Sequence, residues 1–162
     1  MRGRDDQLLG QIEELYRRRH EAFFRVARAI TADRDDAAEA VHDGFADAIR
    51  SRRTFRRDGP LEAWVWRAVV NAARKTRVRR DAPAAAVRDD TEEAPLPPSE
   101  VAPLVAALPE RQRLVLFLRY YADLDYRSIA AALDVEVGTV GPTLAAAHRA
   151  IRHALQEVTV RD

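Results

Sequence analysis

Residues 126–144 read YRSIAAALDVEVGTVGPTL, and three of them set the local geometry. A small Ala130, a turn residue Asp134 four positions later and an apolar Val140 six beyond that have the spacing of a helix-turn-helix. Ala130 lets two helices approach, Asp134 tolerates the turn conformation better than most residues, and Val140 packs back under the first helix. Ile129, Leu133, Val135 and Leu144 complete a small core, and the helical period continues through Ala147, Ile151 and Leu155. Upstream, a short helix is expected over 101–108. Helix then restarts with Pro109 in a first-turn position, and Leu114, Val115, Phe117, Leu118 and Tyr121 supply its apolar period. Pro142 is compatible with the last helix if it lies in the first turn, where backbone donors are unpaired in any case.

The first half of the chain is helical by the same criterion. Leu8, Ile12, Leu15, Phe23, Ala27 and Ile30 recur at spacings of three and four, and strand alternation is nowhere sustained. A second helix is expected over about 35–50, with Ala38, Val41, Phe45, Ala48 and Ile49 on its apolar side. Asp36, Glu39, Asp43 and Asp47 fall within an arc of about 80° on the opposite side. Such a stripe is either a solvated face or a docking surface for a basic partner. After the basic, turn-prone stretch 51–60, Pro60 introduces a third helix over about 61–80, whose core face is Leu61, Trp64, Val65, Ala68, Val69 and Ala72. Arg67, Asn71, Arg74 and Arg77 cluster on its far side, thickened towards the end by Lys75, Arg79 and Arg80. Guanidiniums at that spacing can follow a nucleic-acid backbone. Trp66 falls off the main apolar face beside these arginines, as a base-stacking platform or as the edge of the core.

The net charge of +1 over 162 residues conceals three unlike segments. Residues 1–80 carry 19 basic and 13 acidic side chains, 81–100 carry one and six, and 101–162 carry seven of each. The middle segment also holds four of the eight prolines and almost no large apolar side chain, the composition of an extended or disordered linker. The expected organisation is therefore all-α, with two small helical domains, 1–80 and 101–162, joined by an acidic linker over 81–100. Every basic residue but Lys75 is arginine, which suits planar contacts to phosphates and bases and equally suits a GC-rich genome.

Several classes of function are excluded. With no cysteine there is no disulfide scaffold, thiolate nucleophile or zinc ribbon. His20, His42, His148 and His153 include no i, i+4 pair, so neither a metal site nor a cofactor is expected. The three serines, Ser51, Ser99 and Ser128, occupy no nucleophile elbow, and no glycine-rich phosphate loop is present. The paired acids Asp35-Asp36 and Asp89-Asp90 lack an apolar pocket that would raise a carboxyl's proton affinity. No catalytic apparatus is visible, so the chain is not expected to be an enzyme. No stretch approaches the roughly 20 apolar residues of a membrane helix, and the N-terminus has no apolar run after its arginines, so a cytoplasmic location without membrane insertion is expected.

The segments DRDDAAEAVHDGFADAIR (33–50), GPLEAWVWRAVVNAARKTRVRR (59–80) and ALPERQRLVLFLRYYADLDYRSIAAALDVEVGTV (107–140) closely resemble, in order and spacing, the extracytoplasmic-function sigma factors of the sigma-70 family. The resemblance runs from about residue 8 to residue 155. It implies a transcription initiation factor with regions 2 and 4 in the two halves and a linker threading from the active-site cleft of RNA polymerase towards the RNA exit channel. The partners it implies are core RNA polymerase, through the β′ clamp helices and the β flap, promoter DNA, and an anti-sigma factor. By the same resemblance Asp36, Glu39, Asp43, Phe45 and Asp47 bind core polymerase. Arg52, Arg53, Phe55 and Arg56 belong to the loop that captures a flipped base of the −10 element, with Arg67, Asn71, Arg74 and Arg77 facing that element. Thr139, Thr143, His148 and Arg149 are left for −35 bases, and Arg111, Arg113, Arg119 and Arg127 for phosphates. The family usually carries a basic residue, a serine and another basic residue where this chain has Gly141-Pro142-Thr143, and 137–147 holds no basic side chain. Weak or altered −35 reading is the expected consequence. Two alternatives remain: a stand-alone helix-turn-helix regulator, and a sigma-like interaction protein whose C-terminal half mainly engages a regulator.

Overall fold

The computed structural model describes residues 2–80 and 101–161, and the expected linker lies outside the described residues. Seven α-helices follow in order: α1 (Arg2–Thr31), α2 (Arg34–Ser51), α3 (Leu61–Arg80), α4 (Ala102–Ala106), α5 (Glu110–Tyr120), α6 (Tyr126–Leu133) and α7 (Val137–Arg161). A short 3₁₀ turn, Arg52–Thr54, leaves α2. The described residues contain no strand.

The break between α1 and α2 has a clear chemical cause. Ala32 takes a left-handed backbone, φ 60°, and Asp33 is extended. The Asp33 carboxylate accepts the Asp36 N–H at 2.9 Å, satisfying one of the donors that a helix start leaves unpaired. α1, α2 and α3 then form a bundle around Phe23. Its ring stacks on Trp66 with centroids 3.8 Å apart and meets Phe45 edge-on at 4.9 Å. Gly44 permits the closest crossing, since a Cβ there would lie 2.6 Å from the Val69 Cα.

Three sequence expectations need correction in this half. Trp66 is fully buried at 0% exposure and belongs to the centre of the core, not to its edge or the surface. On α2 the buried arc runs through Asp36, Ala37, Ala40, Val41, Gly44, Phe45 and Ala48, so Ala38 is exposed and Asp36 is covered. The stripe of carboxylates therefore sits at the flank of the buried arc, with Asp36 on its inner side.

The second half is built around the helix-turn-helix, and here the sequence reading holds. α6 and α7 meet at 98°, Asp134 adopts the left-handed conformation at φ 56°, and Ala130 and Val140 are buried. Asp125 starts α6 by accepting the Ser128 N–H at 2.8 Å. That bond holds the Asp125 carboxyl below its ordinary range. Asp125→Ala should therefore lower stability by about 1 kcal/mol, read as a drop of a few degrees in the melting midpoint. The sign with pH follows: a lowered folded-state pKa contributes stability that is present above the ordinary value of 3.8 and fades as pH falls below it. The acid limb of the stability curve should be shallower in Asp125→Ala, and identical acid limbs would refute the cap.

Two smaller corrections concern prolines. Pro109 is extended and precedes α5 as its N-cap, outside the first turn. Pro142 is the sixth residue of α7, past the first turn, so the carbonyl of Gly138 loses the N–H four residues on that would ordinarily bond it. Gly138 is exposed, which leaves that carbonyl open to water.

The two halves share one core. α6 packs on α3 and α5 on α1, and a single cluster of buried side chains runs from Ile12 to Ala147. α3 is thus covered from two sides. Its Val65, Trp66, Val69, Val70, Ala72, Ala73 and Thr76 are all buried.

Candidate nucleic-acid interface

The cationic residues of α3 lie where its two buried sides leave an outward strip: Arg67 and Asn71 are exposed, Arg74 and Arg77 half-buried. Three of the four are occupied by carboxylates of the second half. Arg77 meets Glu110 at 2.8 Å, Arg74 meets the same carboxylate at 3.4 Å, and Arg67 meets Asp134 at 3.5 Å. Glu110 is the first residue of α5, and Asp134 is the left-handed residue between α6 and α7. Neither was expected as a partner from the sequence, because contacts between residues so far apart in the chain, 33 and 36 positions for Glu110 and more for Asp134, leave no periodic signal.

The loop after α2 is held by a residue that the sequence reading missed altogether. Asp5, on the first turn of α1, bonds Arg52 at 2.8 Å and Arg53 at 3.1 Å. Burial alone would raise the Asp5 carboxyl, but hydrogen bonds from Arg53 and Arg52 outweigh it and hold the group below the usual carboxylate range. Arg52 also donates to the Ile49 carbonyl at 2.6 Å and so closes the end of α2. Phe55 lies 5.4 Å from the Trp64 ring, and Arg56 is exposed with no ion pair among the described residues. The loop thus offers two exposed cations, Arg56 and Arg57, and an aromatic pair on a frame pinned by Asp5.

On α2, Glu39 is exposed and reaches Arg79 at 3.9 Å, Asp43 is half-buried, and Asp47 pairs with Arg50. Phe45 is only 5% exposed and packs against Phe23 and Tyr16. Phe45 and Asp36 therefore support the acidic surface from beneath, and Glu39, Asp43 and Asp47 are the carboxylates that meet solvent.

The residues expected at −35 DNA are spread along α7. Thr139 and Thr143 are half-buried, and the Thr143 hydroxyl donates to the Thr139 carbonyl at 2.7 Å. His148 hydrogen-bonds the Tyr120 hydroxyl at 2.9 Å, and Arg149 is exposed about three turns beyond the start of the helix. Among the four arginines expected on phosphates, Arg111 and Arg127 are exposed. Arg113 instead donates to the carbonyls of Ala106 and Leu108, tying α4 to α5, and Arg119 pairs with Asp123 at 3.6 Å.

Residues 15–82 match the family model for Sigma-70 region 2, and residues 100–158 match that for Sigma-70 region 4. The chain is 26% identical over 159 residues to an RNA polymerase sigma-E factor of Streptomyces coelicolor, covering 94% of this chain and 88% of that one. It is 29% identical over 147 residues to an ECF RNA polymerase sigma-E factor of Salmonella typhimurium, covering 78% of this chain and 77% of that one. Among solved structures, CnrH in complex with the cytosolic domain of CnrY superposes with a TM-score of 0.71 at 22% identity, over 94% of this chain and 95% of that one. The sigma factor RpoE of Bartonella quintana, in complex with the anti-sigma factor NepR, gives 0.70 at 16% identity, over 90% and 97%. At such identities the two structures establish the fold.

Proposed function

The chain belongs to the sigma-70 family and is an RNA polymerase sigma factor of the extracytoplasmic-function kind, and from that premise we propose how its surfaces divide the work of initiation. Residues 1–80 act as region 2 and 101–162 as region 4, with 81–100 between them. Glu39, Asp43 and Asp47 dock on the β′ clamp helices, over a platform formed by Phe45 and Asp36. Arg52, Arg53, Phe55 and Arg56 capture a base of the −10 element, and Arg67, Asn71, Arg74 and Arg77 follow its backbone. The single observation that carries this reading is the alignment of these last four residues along one outward strip of α3, directly after the pinned loop.

Base capture needs no fuel. Unstacking is offset by binding, and the catalytic chemistry belongs to the polymerase, so the chain itself is not an enzyme. It acts in the cytoplasm, where its polymerase and promoters are; among the described residues no single helix is long and apolar enough to cross a membrane. An anti-sigma factor is proposed as a further partner, by analogy with the solved complexes. Region 4 contacts the β flap and reads −35 DNA weakly, because the Thr143 hydroxyl is spent on the helix backbone and the first cation along α7 is Arg149.

Arg74→Ala tests the α3 assignment. It should slow promoter opening and reduce the slope of log affinity against log salt by about 1, the loss of one phosphate contact. An unaltered slope would remove Arg74 from the DNA. Footprinting of the assembled holoenzyme should show faint −35 protection that Thr143→Ala leaves unchanged; strong protection lost in that variant would overturn the weak-reading proposal.

A further inference from the structure

We infer that Pro142 is the residue that sets the base preference of α7 and directs it to A·T pairs: its ring packs on the thymine methyl group, and the Gly138 carbonyl beside it accepts from the adenine amino group. The inference rests on the assignment of region 4 to −35 DNA and names what that surface reads. In a helix-turn-helix the first turns of the second helix meet base edges in the major groove. On α7 the buried stripe is Val140, Leu144 and Ala147. At 100° per residue, Gly138, Pro142, Ala145 and Arg149 fall within about 60° of one another on the opposite side. All four are exposed, and a Cβ added at Gly138 would meet nothing within 4 Å.

The polar side chains near this strip are turned aside or engaged. Thr139 is half-buried, the Thr143 hydroxyl donates to the Thr139 carbonyl at 2.7 Å, and His148 bonds the Tyr120 hydroxyl at 2.9 Å. Gly141 lies beside the Tyr126 ring, which a Cβ there would approach to 3.5 Å. Of the four outward residues only Arg149 carries a side-chain donor, and it comes about three turns into the helix.

Pro142 itself supplies two features at one spot. Its ring is apolar and rigid, and its missing N–H leaves the Gly138 carbonyl open to water as an acceptor. The two are neighbours, because the carbonyl of residue i−4 lies against residue i in a helix. Guanine presents acceptors, O6 and N7, and would meet that carbonyl acceptor to acceptor. Cytosine offers an amino donor without a methyl group, whereas an A·T pair offers both, adenine N6 and the thymine methyl. Arg149 and Arg152 are exposed further along α7, so the surface passes from apolar to cationic in the order that base and then phosphate contacts require.

The test uses holoenzyme assembled from core polymerase and the full chain, with a promoter fragment that it selects from a genomic pool. Within the −35 segment, thymines are replaced by deoxyuridine, which lacks the methyl, or adenines by deoxynebularine, which lacks the amino group. Guanines are replaced by 7-deazaguanine, which lacks N7. The first two replacements should each weaken binding about fourfold, and the third should leave it unchanged. Pro142→Ala favours the helix and returns an N–H to the Gly138 carbonyl. That variant should therefore melt no lower than the unmodified chain and lose both effects. Protection of the −35 segment with a cost for 7-deazaguanine and none for deoxyuridine would overturn the inference while region 4 still read DNA. Deoxyuridine and deoxynebularine effects of the same size in Pro142→Ala would trace to DNA shape and would overturn it as well. A promoter without any −35 protection would remove the assignment of region 4 to −35 DNA and the inference together.

Discussion

Asp43→Arg combined with Asp47→Arg should abolish co-elution with core RNA polymerase while leaving the chain folded. Both carboxylates lie at the flank of the buried arc of α2 and reach solvent, and Asp47 is tied only to its own helix, through Arg50. Reversing them exchanges two attractive contacts for two repulsive ones against a basic partner, a penalty of several kcal/mol and so an affinity loss of about a thousandfold. The effect on folding should stay within about 1 kcal/mol, because neither side chain supports the core and the new like-charge neighbour, Arg50, is exposed. Gel filtration with core polymerase, run beside a thermal melt, separates the two effects. Unchanged co-elution of a folded variant would remove this surface from the docking account. Phe45→Ala is the contrasting case: its ring is 5% exposed between Tyr16 and Phe23, so it should lose stability first and polymerase binding only in consequence.

The second large effect is structural. Trp66→Ala should cost about 3–5 kcal/mol of stability. The indole is fully buried, stacked on Phe23, and its Nε1–H points to a Glu62 oxygen at 3.4 Å, while Glu62 is also held by Arg19 at 3.3 Å. Truncation would empty the centre of the three-helix bundle and remove one of the ties at the start of α3. Urea denaturation should show the midpoint falling without a change in slope, and DNA binding under conditions where the variant remains folded should be unaltered. Normal stability with lost DNA affinity would mean that Trp66 is a stacking platform after all, and that its burial is wrong.

How much of this was legible in the sequence depended on whether a helix buries one face or two. α1 and the helix-turn-helix were read correctly because each presents a single apolar face or a sterically determined turn: Leu8, Ile12, Leu15 and Phe23 are all buried, and Asp134 is left-handed as its spacing requires. α3 defeated the same reasoning. Its periodicity was read as one face, but α1 and α2 cover one side and α6 another, so Trp66, Val70 and Ala73 belong to the core as fully as Val65 and Val69. On α2 the error was one of phase. Small residues, Ala37, Ala40 and Gly44, form the contact surface, and because they carry little hydrophobic signal the predicted stripe was drawn too far round, leaving Ala38 inside and Asp36 outside.

The charged contacts had no sequence signature. Asp5 with Arg52 and Arg53, and Glu110 with Arg74 and Arg77, join residues far apart in the chain, and an arginine-rich sequence offers many pairings of equal merit. The resemblance to sigma factors supplied roles for the arginines but not their partners in the free chain. That gap matters to the mechanism, because three of the residues assigned to −10 DNA, Arg67, Arg74 and Arg77, are ones that carboxylates of the second half already hold.

Run-off transcription from pooled genomic promoter fragments, with core polymerase and with or without this chain, tests the central claim most directly. Discrete new start sites are predicted, sharing a −10 sequence and only a weak −35 sequence upstream, and Arg74→Ala should diminish them all. Core polymerase that binds the chain but yields no new start site would contradict the account.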